Sequence, residues 1–101
     1  MNGLTICAAN YLPFAKILAN SFLKFHPKSK FYLLLVDGDV PGITIDLPPE
    51  IIIIKPSDLD LDPEVFMRMA IYYDVTELST ALKPFALKYA FNDGSDIAIY
   101  L

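Results

Sequence analysis

The stretch LTICAANYLPFAKILANSFLKFHPKSKFYLLLV, residues 4–36, decides the fold of this 101-residue chain. Its two ends, residues 4–9 and 31–36, are continuous apolar runs, which are typical of strands covered on both faces of a parallel sheet. Between them, Pro13 suits a first helical position, and the helix should end at His26 because the residue before a proline disfavours helical geometry. Large apolar residues recur at helical spacing, and we expect them to form the buried face: Phe14, Ile17, Leu18, Phe22 and Phe25. The stretch therefore predicts two parallel strands joined by a right-handed helical crossover.

The rest of the chain extends this unit. Residues 51–54 and 97–101 are further apolar runs and predict a third and a fourth strand. A second helix opens with Asp62 as cap, and its predicted buried residues are Phe66, Met69, Ala70 and Tyr73. A third helix begins where Asp74 and Glu77 have capping-box spacing and ends around residues 92–94; its predicted buried residues are Leu78, Ala81, Leu82, Phe85 and Tyr89. We expect one Rossmann-like α/β domain over residues 1–101, with an open, mostly parallel sheet of about four strands in the order 3-2-1-4 flanked by helices.

The composition argues against several classes of protein. No apolar run approaches the roughly 18 residues of a membrane helix, and no basic segment precedes a signal-type apolar core, so we expect a cytoplasmic protein without a membrane span. The net charge of −4 argues against a nucleic-acid partner. The single cysteine, Cys7, is expected to be a small core residue. The hydrophobic fraction of 54% is high for this size, so we expect the chain either to belong to a larger protein or to bury surface against a partner.

The residues that leave the first two strands are the candidate binding residues, because ligands of open α/β sheets bind beyond the carboxyl ends of the strands. The first strand leaves through Ala8, Ala9, Asn10 and Tyr11, which combine two small side chains, an amide and an aromatic ring. The second leaves through Asp37, whose carboxylate suits a sugar hydroxyl or a base N–H. The alternative stays open that these residues only turn the chain. No phosphate-cradling glycine motif is present.

A second candidate lies in the third helix. Pro84 removes the hydrogen bond to the carbonyl of Thr80 and predicts a kink. Thr76, Thr80 and Lys83 follow at spacings of 4 and 7, so they share a polar face. A lysine on that face suits a phosphate as a point charge. The alternative is a solvated face with a lysine whose stem covers apolar surface.

Two other features are interpreted as structural. The acidic residues Asp58, Asp60, Asp62 and Glu64 alternate as in a calcium loop, but the glycine and the terminal glutamate of that motif are missing. We interpret them as a solvated loop that ends in a helix cap. His26 is the only histidine, so no Ser/His/Asp or Cys/His catalytic set can be assembled.

Three blocks of the chain resemble a known family. ICAANYLPFAKILANSFLKFHPKSKFYLLLVDG, YYDVTELSTALKPFALKYAF and DIAIYL are similar to the amino-terminal half of GT-A type, nucleotide-sugar-dependent glycosyltransferases. The likeness is to bacterial, family 8-like members with a YDVTEL-x-TALKPF block, and it spans residues 5–101. It implies a hexosyltransferase-type protein with a uridine diphosphate sugar as the expected donor and an unknown acceptor.

The resemblance also assigns roles to residues. It implies that the following bind the nucleotide sugar: Ala8, Ala9, Asn10, Tyr11, Asp37, Thr80 and Lys83. In the family an Asp-x-Asp motif follows the last strand and holds a divalent metal, Mn²⁺ or Mg²⁺, on the donor diphosphate, and this chain ends at Leu101, just before that motif. The resemblance therefore implies a truncated, inactive donor-binding fragment with no metal of its own. The alternative is a non-catalytic α/β interaction module that forms a homo-oligomer through its C-terminal edge strand.

Overall fold

The computed structural model describes residues 2–40, 47–91 and 98–100. In chain order, the elements in these ranges are β1 (Asn2–Cys7), α1 (Leu12–Phe25), β2 (Phe31–Leu35), β3 (Ile51–Ile54), α2 (Pro63–Tyr72), α3 (Val75–Phe91) and β4 (Ala98–Tyr100). Short 3₁₀ turns follow β1 and β3, at Ala9–Tyr11 and Pro56–Asp58. Neighbouring strands pair in parallel in the order β3-β2-β1-β4. The predicted α/β class with a parallel sheet is therefore confirmed.

The sheet is built mainly from β1, β2 and β3. These three strands pair over five and four positions, whereas β4 pairs with β1 at three, from Asn2 to Leu4. The prediction placed the first strand at residues 4–9, but β1 ends at Cys7 because Ala9 already belongs to the 3₁₀ turn. Residues 97 and 101 of the predicted fourth strand lie outside the described residues, as do residues 92–94, the predicted end of the third helix.

The register of the strands brings their carboxyl ends to one edge. Cys7 lies opposite Leu35, and Leu34 lies opposite Ile54. Parallel strands in this register leave the sheet side by side, so the loops that follow β1, β2 and β3 are neighbours. This edge is where a ligand of an open α/β sheet is expected.

The helices cover the two faces of the sheet. On one face, Ala15, Ala19 and Phe22 of α1 pack with apolar residues of β2 and β3, namely Phe31, Leu33 and Ile51. On the other face, α3 packs against alternate residues of the strands; this cluster includes Leu4, Ile6, Leu34, Ile54, Leu78 and Leu82. The continuous apolar runs of the sequence have this cause, since each strand supplies side chains to both layers.

The predicted buried face of α1 is wrong except at Phe22. Phe14, Ile17 and Phe25 are 68%, 68% and 75% exposed, and Leu18 is also exposed. The alanines Ala15 and Ala19 face the sheet instead. Their small side chains let the helix backbone approach the strands closely, and the large residues are left on the solvent side. The alanines and the large apolar residues both recur with the period of a helix, so their spacing alone cannot show which set is buried.

For α2 and α3, the sequence predicted the starts of the helices better than their buried faces. The Asp62 carboxylate accepts the Glu64 N–H at 2.9 Å, and Asp74 and Glu77 each accept the backbone N–H of the other, so both predicted caps are confirmed. In α3, Leu78 and Leu82 are buried as predicted, Ala81 and Phe85 are partly buried, and Tyr89 is exposed.

In α2, Phe66 and Met69 are partly buried, whereas the predicted burial of Ala70 and of Tyr73, the residue after the helix, is wrong.

Two further predictions, on α1 and α3, can be compared with the structure. Helix α1 ends before His26, as expected, and α3 continues through Pro84 as one helix. None of the helices in the described residues is long and apolar enough to cross a membrane.

The corrected face of α1 is testable by stability measurements. We expect Ala19→Leu to lower the free energy of unfolding by about 1 to 3 kcal/mol, because a larger side chain would overpack the contact with the sheet. Ile17→Ser should change it by less than about 0.5 kcal/mol, because Ile17 is exposed. Urea unfolding followed by circular dichroism measures both values. A large loss for Ile17→Ser together with a tolerated Ala19→Leu would show that the helix presents the opposite face.

Candidate functional site

A groove of about 490 Å³ opens at the carboxyl end of β1, between the start of α1 and the first turns of α3. Thr5, Cys7 and Ala8 line it from the strand side. Ala8 is buried and small, so it leaves room at the end of the strand. None of the described residues that line the groove carries a formal charge at neutral pH. The groove therefore suits an uncharged group with both apolar and hydrogen-bonding surface.

Aromatic residues form the wall that α1 contributes. Tyr11, the last residue of the 3₁₀ turn, is 54% exposed, and its ring centroid lies 6.1 Å from that of Phe14. Leu18 continues this wall one turn later. An exposed tyrosine ring beside an open groove offers a flat surface for stacking and a hydroxyl for hydrogen bonding.

Hydroxyl groups form the wall that α3 contributes. The Ser79 Oγ donates to the Val75 carbonyl at 2.7 Å, and the Thr80 Oγ1 donates to the Thr76 carbonyl at 3.0 Å. Because each hydroxyl has one hydrogen, these two oxygens can then only accept further hydrogen bonds. They suit the N–H of a base or the O–H of a sugar better than the oxygens of a phosphate.

Asp37 holds the turn that borders the groove. The backbone N–H of Ala9 donates to both carboxylate oxygens of Asp37, at 2.9 Å and 3.2 Å. Two residues later, Asp39 accepts from the N–H of Ser57 at 3.0 Å and from its Oγ at 2.6 Å. The two aspartates thus connect the loop after β2 to the loops after β1 and β3. We call Asp37, Gly38 and Asp39 the carboxyl-edge clamp.

Gly38 lies in the middle of the carboxyl-edge clamp, where there is little room for a side chain. Its N–H donates to the Leu35 carbonyl at 3.0 Å. A Cβ at this position would lie 3.0 Å from the Lys55 Cγ and 3.1 Å from the Leu35 carbonyl oxygen. Absence of a side chain therefore lets the loops after β2 and β3 approach each other.

The structure brings some of the predicted site residues together and leaves others apart. Ala8, Tyr11 and Thr80 line the groove. Ala9 and Asp37 are bonded to each other, so the first partner of the carboxylate is the protein backbone. Two further predicted residues do not belong to the lining: Asn10, which is exposed in the 3₁₀ turn, and Lys83, which is partly buried three residues beyond Thr80.

Several lining residues were not predicted as site residues. Phe14 and Leu18 were assigned to the core, although their spacing of four on α1 equally fits a groove wall. Ser79 directly precedes Thr80 and follows Val75 by one helical turn, which was the available signal for it. Cys7 was expected in the core; it is partly buried and also lines the groove.

The acidic run after β3 has local partners. Asp58 accepts the N–H of Lys55 at 2.9 Å, Asp62 caps α2, and Asp60 and Glu64 lie 3.6 Å from Lys88 and 3.7 Å from Arg68 respectively. The interpretation as a loop that ends in a helix cap is confirmed. In the described part of the chain, no group of three or more His, Cys, Asp or Glu residues could hold a metal ion.

The thiol of Cys7 is held in its protonated form. Burial, with a smaller contribution from the charge of Asp37, raises the pKa of Cys7 from 9.0 to about 11. Because the pKa is higher in the folded chain, folding favours the thiol, and this contribution to stability is lost as the pH rises from 9.0 towards about 11. At neutral pH the groove therefore contains a neutral, weakly nucleophilic sulfur.

Comparisons of the chain with protein-family models, with curated proteins and with solved structures find no match. The family resemblance of the sequence therefore enters the functional argument only as a proposal.

The role of Asp37 as a backbone anchor predicts a selective loss of stability. Asp37→Ala should lower the free energy of unfolding by about 1 to 3 kcal/mol, because the partly buried N–H of Ala9 loses its acceptor. Asp37→Asn should cost less, since the amide oxygen can still accept. The exposed ion pair of Asp60 with Lys88 provides the control, and Asp60→Ala should have almost no effect. Hydrogen exchange of the Ala9 amide should accelerate only in the Asp37 variants; unchanged exchange would contradict the anchor role.

The raised pKa of Cys7 predicts slow alkylation of the folded chain. The rate of reaction with iodoacetamide should still be rising at about pH 10, because the midpoint for the folded thiol lies near 11. In urea the midpoint should return to near 9.0, the ordinary value. Asp37→Asn should lower the folded midpoint, since it removes the negative charge. A plateau near pH 9 in the folded wild-type chain would contradict the assignment.

Proposed function

We propose that this chain is the donor-binding part of a GT-A type, nucleotide-sugar-dependent glycosyltransferase, with a uridine diphosphate sugar as donor. The observation that carries the proposal is the uncharged groove at the carboxyl end of β1, which is lined by Ala8, Tyr11 and Thr80. All three were assigned to nucleotide-sugar binding from the sequence. The parallel pairing of β4 with β1 supports the four-strand, Rossmann-like arrangement that the proposal includes.

The proposal assigns the nucleoside to the groove. A pyrimidine ring can stack on the exposed ring of Tyr11, and the small side chain of Ala8 leaves room beside it. The oxygens of Ser79 and Thr80 have donated their hydrogens within α3, so they accept from the N–H of uracil or from ribose hydroxyls. Asn10, exposed in the same turn, supplies an amide at the rim.

The proposal assigns the diphosphate to the side of Lys83. Thr76, Thr80 and Lys83 follow at spacings of 4 and 7 on α3, so the lysine lies on the same helical face, about one turn beyond the groove wall. A lysine ammonium is a compact charge that suits a phosphate. Asp37 has a structural task in this arrangement: it holds the Ala9 N–H and so fixes the turn that carries Asn10 and Tyr11.

The proposal does not extend to sugar transfer by this chain alone. The divalent metal of the family does not fit the described residues, because no group of three or more potential ligands occurs among them. We therefore expect no metal-dependent sugar transfer from the purified 101-residue chain. Detectable transfer in an assay with radiolabelled donor sugar would contradict this. A cytoplasmic location is part of the proposal and can be tested by cell fractionation.

A second candidate function follows from the position of β4. This strand is at one end of the sheet order, next to β1, and the edge of a sheet can pair with another chain. The chain would then be an interaction module that self-associates through β4. Sedimentation velocity over a range of concentrations tests this function, and a monomer at the highest concentration would contradict it.

Nucleotide binding is testable by NMR titration of the full chain with uridine and with UDP. Both ligands should shift the amide signals of residues 8–11 and 79–80. Tyr11→Ala should weaken both by about five- to tenfold, the usual scale for an aromatic contact. Tyr72→Ala is the matched control, because Tyr72 is also an exposed tyrosine but lies on α2, outside the groove lining. Lys83→Gln should weaken UDP and leave uridine unchanged. Absence of any shift with UDP at millimolar concentration would contradict the proposal.

A further inference from the structure

The outer side of α1 exposes a strip of large apolar side chains. Phe14, Ile17, Leu18 and Phe25, which we call the α1 strip, are all exposed, whereas Ala15, Ala19 and Phe22 face the sheet. The members recur at spacings of 3, 4 and 11, so they lie along one side of the helix. Scattered exposed apolar residues are normal, but two phenylalanines, an isoleucine and a leucine on one side of a helix, interrupted there by Ser21, indicate a contact surface.

Basic residues border the α1 strip. Lys24, which directly precedes Phe25, and Lys28 in the loop after α1 are exposed, whereas the exposed Lys16 lies on the other side of the helix. Although the chain has a net charge of −4, its first acidic residue is Asp37, and four of its eight basic residues lie in residues 16–30. Residues 16–30, which include most of α1 and the loop after it, therefore contain basic residues and no acidic residue.

The combination of residues indicates which kind of partner covers this surface. Lysine is depleted in protein–protein interfaces, where arginine is enriched, and α1 contains lysine but no arginine. A helix with aromatic and aliphatic residues on one side and lysines at its border is typical of helices that lie in a membrane interface. The lysine stems can extend along apolar groups while the ammonium groups reach lipid phosphates.

We propose that α1 docks this chain on the surface of an anionic lipid membrane. The α1 strip enters the boundary between headgroups and acyl chains, and Lys24 and Lys28 contact the lipid phosphates. Phe14 and Leu18 also line the groove at the end of β1, so the docked chain holds the mouth of that groove at the lipid surface. The inference rests on the exposure and charge of α1 and does not depend on the identity of the groove's ligand.

Cosedimentation with lipid vesicles tests the proposal on the full chain. The vesicles are phosphatidylcholine alone and phosphatidylcholine mixed with phosphatidylserine. Binding is expected to the mixed vesicles and should weaken with added salt. The double variant Lys24→Gln, Lys28→Gln should reduce the partition coefficient by about 25-fold, or about fivefold for each lysine. The double variant Ile17→Ser, Phe25→Ser should abolish binding.

The control is an equally exposed apolar pair on α2. Met67 and Ile71 are 63% and 70% exposed, and the nearby charges of Glu64 and Arg68 are paired. Met67→Ser, Ile71→Ser should bind as the wild-type chain does. Thermal unfolding checks that each variant is folded, and the lysine variant keeps the test valid if the serine variant of α1 does not fold. The proposal is overturned by failure of the wild-type chain to bind the mixed vesicles, by an equal loss in the α2 control, or by unchanged binding of a folded lysine variant.

Discussion

The carboxyl-edge clamp is the constraint on which the candidate site depends. Three parallel strands end side by side, and each is followed by a loop with no intrinsic reason to remain beside its neighbours. The two aspartates supply that reason, because Asp37 binds the N–H of Ala9 and Asp39 binds the N–H and hydroxyl of Ser57. Gly38, which lies between them, lets them do so from one tight turn. The rim of the groove is therefore fixed by hydrogen bonds to carboxylates, which are stronger than those between neutral groups.

A second constraint is the close approach of α1 to the sheet. Burial of Ala15 and Ala19 brings the helix near the strands, and its large side chains are then displaced to the flanks. The same choice of face has two functional consequences. It makes Phe14 and Leu18 a wall of the groove, and it leaves the remainder of the α1 strip on the surface. The burial of the small residues of α1 and the exposure of its large residues thus have the same cause, which is the face that the helix turns to the sheet.

The predictions from the sequence were most accurate for features that depend on neighbouring residues. Continuous apolar runs located the strands, and the carboxylates of Asp62 and Asp74 located two helix starts, because a cap depends on residues within one turn. The edge rule for α/β sheets selected Ala8 and Tyr11, which line the groove, and their role in binding stays a prediction. The buried face of α1 could not be predicted from periodicity, since its alanines and its large apolar residues recur with the same period. Nor could the bond from Ala9 to Asp37, which joins residues 28 positions apart.

The distribution of charge connects the two surfaces of the molecule. Acidic residues after β3 cap helices, accept a backbone N–H or pair with Lys88 and Arg68, whereas residues 16–30 contain basic residues and no acidic residue. An anionic surface attracts a segment that carries only positive charge before any contact is made. The groove needs no charge for this attraction, because its lining is neutral and the lysines lie outside it. The groove and the anionic surface therefore do not compete for charged side chains, whereas Phe14 and Leu18 belong both to the groove wall and to the α1 strip.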